Sequence, residues 1–102
     1  MTKTIEVRLL LINSTDKPLS FVLEPWGEVY PFEPETQISL VFCGPEGGHP
    51  EVDYGAEAVT VWSWSGSTAR VFKDDRELGA GKFERTPVPD MSGLNIAEPR
   101  WK

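Results

Sequence analysis

One cysteine, Cys43, and one histidine, His49, are all that the 102 residues offer of those two types. A single cysteine excludes any internal disulfide. A single histidine excludes blue copper within the chain, because such a site needs two imidazoles and a thiolate. Phe42-Cys43-Gly44-Pro45 followed by His49 has the outline of a cupredoxin ligand loop, but the second imidazole is missing and Met1 and Met91 lie far from it. A structural zinc set fails on the same count. Long apolar runs are also absent. The purest, Leu9 to Ile12, falls far short of the ~18 residues that cross a bilayer. Glu6 and Arg8 interrupt the approach to it, which is wrong for a signal peptide. The chain therefore reads as cytoplasmic, and Asn13-Ser14-Thr15, although it matches a glycosylation sequon, reads as a turn.

Lysine and arginine are missing from Pro18 through Ala69, while that stretch carries Glu24, Glu28, Glu33, Glu35, Glu46, Glu51, Asp53 and Glu57. The net charge of −6 is thus a middle of −8 between ends that sum to +2. Such a field repels phosphate backbones and anionic lipid, so nucleic acid and membrane surfaces are excluded as partners. The plain reading of the acids is a solubilising surface. The sharper one is a docking face for a basic partner.

Helical periodicity is the third absence: no window of 11 residues has it without a proline or glycine inside. What is present alternates. Ile5, Val7, Leu9 and Leu11 share one face of a strand, and turn formers from Asn13 to Pro18 end it. Leu19, Phe21 and Leu23 define a second strand, closed by Pro25-Trp26-Gly27. A third, Glu28 to Phe32, sets Tyr30 and Phe32 on one side. After a Pro34-Glu35 turn, Ile38, Leu40 and Phe42 alternate with Gln37, Ser39, Val41 and Cys43, and Cys43 reads as a small buried hydrophobe. Val52 and Tyr54 mark a short edge strand beyond the glycine-rich loop from Gly44 to Pro50. Ala58 to Trp64 comes next, with Ser65-Gly66 as a hairpin turn setting Trp62 opposite Ala69, Thr60 opposite Val71 and Val59 opposite Phe72. In that register Arg70 shares a face with Val61, which favours Trp62 inside. Asp74-Asp75 turns the chain once more towards Leu78.

Seven to eight short strands at this spacing predict an all-β antiparallel β-sandwich, immunoglobulin-like or cupredoxin-like, over residues 1–78. Residues 79–102 form a Gly/Pro-rich C-terminal tail, in which Met91, Leu94, Ile96 and Trp101 predict docking on the body.

The side chains give catalysis little support. His49 sits between Gly48 and Pro50, with no nucleophile at a recognisable spacing. Ser63-Trp64-Ser65-Gly66 lacks the leading glycine of a nucleophile elbow. The carboxylate pairs Glu33/Glu35 and Asp74/Asp75 fall in tight turns, where a domain this small leaves no sugar cleft. The Gly44 to Gly48 loop lacks the lysine of a phosphate loop. Loop carboxylates Glu46, Glu51, Asp53 and Glu57 have no EF-hand spacing for calcium. No cofactor and no metal are expected. The aromatics carry the functional reading: Trp26, Tyr30, Trp62 and Trp64, with His49, form a candidate binding patch, and Glu46, Glu51, Asp53 and Glu57 form its acidic rim. The expected function is a non-catalytic binding or protein-interaction module for a protein partner, basic by charge complementarity, or for a small ligand. The alternatives are an immunity-type inhibitor of a basic enzyme and a small enzyme or metal protein using His49, Cys43 and the acidic loop.

Overall fold

The computed structural model describes residues 3–79 and 87–89. It contains eight strands: β1 (Thr4–Ile12), β2 (Leu19–Glu24), β3 (Glu28–Phe32), β4 (Gln37–Pro45), β5 (Glu51–Tyr54), β6 (Ala58–Trp62), β7 (Thr68–Lys73) and β8 (Arg76–Leu78). They form two four-stranded sheets, β1-β4-β7-β8 and β3-β2-β6-β5. Alternation decides which residues meet between them. Leu11, Phe21, Leu23, Phe32, Ile38, Leu40, Phe42, Val59, Val61, Ala69 and Val71 are buried in one cluster, and each large side chain among them gains roughly 1.5–3 kcal/mol by leaving water. The sandwich is all-β, and among the described residues no helix is long and apolar enough to cross a membrane.

The two ends of the sandwich are tied differently. At the upper end, buried Asn13 clips two turns together. Its Nδ2 donates to Lys17 O (3.0 Å) and Phe32 O (2.8 Å), and its Oδ1 accepts from Thr15 N (2.9 Å) and Thr15 Oγ1 (2.6 Å). The asparagine amide of the sequon is therefore consumed inside the fold. At the lower end, Ser63 N donates to Glu24 O (2.9 Å), and Trp64 Nε1 donates to Pro45 O (2.9 Å).

The expected Ser65-Gly66 hairpin does not form: β6 pairs with β2 and β5, whereas β7 pairs with β4 and β8. The reason is burial. In the hairpin register Val59/Val61 and Ala69/Val71 would occupy opposite faces of one sheet, leaving one apolar row in water. Crossing between the sheets at residues 63–67 buries both rows. The crossover is held by Ser67, whose Oγ accepts from Trp64 N (3.0 Å) and donates to Trp64 O (2.5 Å), with Ser63 Oγ bonded to it as well. With Val59 and Val61 inside, Trp62 lies on the outer face, against the expectation that it points inward.

Two further differences follow from the pairing. β2 and β6 both start at the upper end, so they run parallel (Phe21↔Val59, Leu23↔Val61), and the second sheet is mixed rather than wholly antiparallel. Cys43 is exposed, not buried, because Phe42 takes the core side of β4 and its neighbour must face solvent. The Asp74-Asp75 hairpin forms as expected, joining β7 to β8, with both aspartates in the left-handed region (φ 51° and 62°).

Of the tail, Gly79 and residues 87–89 are described. Val88 is 2% exposed and locked to the crossover, accepting at its carbonyl from Gly66 N (2.7 Å) and donating to Ser67 O (2.9 Å). Met91, Leu94, Ile96 and Trp101 lie outside the described residues.

Two substitutions check this account. Aspartate tolerates a positive φ less readily than asparagine or glycine, so Asp74→Asn with Asp75→Gly should raise the urea midpoint at unchanged slope, by about 1 kcal/mol of stability. No change, or a loss, would show that the turn is not what limits this hairpin. Gly48→Ala should act in the opposite direction. A Cβ there overlaps the indole of Trp64, which is pinned between Phe42 and the Pro45 carbonyl. Overpacking of this kind costs about 1–3 kcal/mol in the same measurement.

Candidate binding face

The residues singled out in the sequence do not form one patch. Trp64 turns inward, its ring 6.0 Å from Phe42, and serves as the plug of the lower end. Tyr30 also lies on the inner face, stacked on Phe21 at 6.1 Å with its hydroxyl donating to Glu28 Oε1, and Glu28 itself is buried. Trp26 is half-buried at the β2–β3 turn and packs against the core. Glu57 belongs to the upper end, where its carbonyl accepts from Ser20 N (2.9 Å). Glu46 lies beside Lys3 at the start of β1, with Glu46 N donating to Lys3 O (2.8 Å).

Trp62, His49, Glu51 and Asp53 do come together, on the outer face of the β3-β2-β6-β5 sheet. Glu51 is the direct antiparallel neighbour of Trp62, and Glu24 is its partner on the other side in the parallel register. One row up, Asp53 stands beside Thr60, which stands beside Val22, and Val29 (63% exposed) completes the row. His49 Nε2 lies 3.0 Å from Glu51 Oε1 and extends the rim into the loop. The result is a half-buried indole between two carboxylates, with a small apolar shelf above it. Every strand of this sheet falls between Leu19 and Trp62, a stretch without lysine or arginine.

Glu24 is the member that sequence reading missed. It is an ordinary strand-end acid locally, and only the parallel pairing of distant segments sets it against Trp62. No local signal marks it.

The opposite sheet shows what such a juxtaposition holds. Phe72 of β7 and Glu77 of β8 are cross-strand neighbours. Arg70 places its guanidinium 5.1 Å from the Phe72 ring centroid and bonds both Glu77 oxygens, from Nε at 3.0 Å and Nη2 at 2.7 Å. The hydrogen bond to Glu77, and then its charge, hold Arg70 above its ordinary pKa. An aromatic ring beside a carboxylate on the next strand is thus a guanidinium seat in this fold.

The acids of the upper end make a different surface. Glu35, Asp74 and Asp75 rim an open hollow floored by Ser39 and Phe72. Its aromatic ring already carries Arg70, and Lys73 Nζ already approaches Glu33 Oε1 (3.5 Å). Among the described residues, no group of three or more His, Cys, Asp or Glu side chains is placed to hold a metal ion. Comparison with protein-family models, with curated proteins and with solved structures gave no match to this chain.

Proposed function

We propose that the chain is a small, non-catalytic protein-interaction module that takes an arginine- or lysine-bearing segment of a partner on the outer face of its mixed sheet. The observation that carries this reading is the register that sets Trp62 between Glu24 and Glu51. A guanidinium over the indole gains a cation–π contact and a carboxylate on either side, one carboxylate more than Phe72 and Glu77 supply to Arg70. Asp53 and His49 widen the rim, and Val22 and Val29 offer apolar contact to the residues flanking the cation. The acids of the base-free stretch speed encounter, while the half-buried indole supplies residence time.

The compartment proposed for this module is the cytoplasm. Cys43 is an exposed thiol with no partner cysteine in the chain, which suits a reducing environment. The Asn13 amide, buried and donating two hydrogen bonds, leaves no atom to carry a glycan.

The test is titration of the full chain with a hexa-arginine peptide, followed by amide and indole NMR shifts. The expected shifts concentrate on the Trp62 indole and on Glu24, Glu51 and Asp53. Trp62→Ala should weaken binding by roughly 5- to 30-fold, the value of a partly desolvated cation–π contact, and Glu24→Lys with Glu51→Lys should abolish it. Added salt should lower the affinity steeply. Glu57→Lys, at the far end, should change little. Shifts spread evenly over all the acids, with no effect of Trp62→Ala, would reduce the face to a solubilising surface.

A further inference from the structure

The two sheets end in four edge strands, and three of them are blunted. β8 has three residues, β5 has four, and β3 contains Pro31. β1 is different: nine residues without proline, glycine or bulge, paired to β4 in an unbroken register from Thr4↔Pro45 to Ile12↔Gln37. Long regular edges of this kind recruit further strands.

The parity of the edge is fixed by the bonds that bracket it. Lys3 O accepts from Glu46 N (2.8 Å) at one end, and Asn13 N donates to Thr36 O (3.1 Å) at the other. Antiparallel bonding alternates, so the odd residues of β1 face β4, and the backbone groups of Thr4, Glu6, Arg8, Leu10 and Ile12 point away from the sheet. Among the described residues nothing pairs with them. On the inner side Ile5, Val7 and Leu9 are only half-buried, unlike Leu11. On the outer side Leu10 and Ile12 are 56% and 52% exposed. The inner flank of this edge is thus apolar and incompletely covered, and the outer flank sets exposed Leu10 and Ile12 beside the charged Glu6 and Arg8.

We infer that the occupant of this edge is the β1 strand of a second copy, antiparallel about Val7, joining two sandwiches through one continuous sheet. Parity requires even residues to face even residues, which leaves a short set of registers. Centring on Arg8 opposes arginine to arginine, and centring on Glu6 opposes glutamate to glutamate. Centring on Leu9 or Leu10 sets Arg8 against Leu10 or Ile12 and pairs no charges. Centring on Val7 sets Glu6 against Arg8 of the second copy and Arg8 against its Glu6, with Thr4 facing Leu10. In one copy these two side chains already lie together, Arg8 Nε at 2.8 Å from Glu6 Oε2, so the pairing creates an alternating square of four charges. The same register stacks Ile5 on the second Leu9 and Val7 on the second Val7, covering the half-buried inner row. The contact is isologous and closes on itself, giving a dimer and not a filament. It lies on the sheet that does not carry Trp62, and it is independent of the function proposed above.

The experiment is sedimentation equilibrium of the full chain and its variants over a range of concentrations. The wild-type chain should form a dimer. Arg8→Glu, which opposes four carboxylates, should raise the dimer dissociation constant on the order of a hundredfold. Glu6→Arg, which opposes four cations, should do the same. Mixing these two variants should restore association as a heterodimer, which shows that each remains folded. In a Cys43→Ser background, Val7→Cys should form an intermolecular disulfide on oxidation, since a residue on the twofold axis faces itself at ~4.5–5.5 Å between Cα atoms. A wild-type chain that stays monomeric overturns the inference. So does a dimer indifferent to both charge variants, or one that Val7→Cys fails to cross-link, because it would use another surface.

Discussion

Two apolar rows flank residues 63–67, and both must leave water. Val59 and Val61 precede the bend, Ala69 and Val71 follow it, and a strand in a sandwich buries only one face. A crossing between sheets is the arrangement that satisfies both rows. Once the chain crosses there, the lower end has to be closed around the bend. Ser67 bonds the Trp64 backbone, Trp64 lays its indole on Phe42 and donates to Pro45, and Gly44 and Gly48 leave the room that these contacts need. Proline at position 45 suits this role, since it lacks a ladder N–H and its carbonyl is used by a side chain. Val88 then covers the outside of the same bend.

That arrangement also sorts the charges. The sheet made wholly from the base-free stretch carries Glu24, Glu51 and Asp53 on its outer face. The other sheet carries Arg8 and Arg70, each already neutralised by a glutamate of its own, Glu6 and Glu77. One face sets its arginines beside glutamates of its own sheet, and the other carries carboxylates on strands that hold no lysine or arginine. The two proposals follow this division: a self-complementary edge belongs to the arginine-bearing sheet, and a cation-seeking face belongs to the acidic one. A dimer through β1 would leave both acidic faces available, so a partner with repeated basic segments could engage two copies at once.

Period-two alternation made the strands legible, and with them nearly the whole core. Ile38, Leu40 and Phe42 are inside for the reason the pattern suggests, and Asp74-Asp75 turns where turn chemistry places it. What could not be read was pairing between distant segments. Ser65-Gly66 is a sound hairpin signal locally, and only the burial of rows on both sides overrides it. Cys43 illustrates a different limit. Its position on the face opposite Ile38 and Phe42 was visible, but its residue type suggested burial, and position decided the outcome. Among the candidate site residues, Glu51, Asp53 and Trp62 sit close in sequence or across one short hairpin, so the sequence could group them. Trp64 and Tyr30 were drawn to the patch by residue type alone, and the inward face claimed both.

The parallel pairing of β2 with β6 has a kinetic meaning. These strands lie far apart in the chain, and the connection between them runs through the other sheet, so their contact closes a long loop before any local reward is gained. Glu24 and Trp62 become neighbours only when that loop is shut. The β5–β6 hairpin holds Trp62 and Glu51, the β2–β3 hairpin holds Glu24, and neither alone flanks the indole on both sides. The two-sided seat is therefore a property of the finished fold, and a nascent or partly opened chain would offer a cation one carboxylate beside the indole where the folded chain offers two.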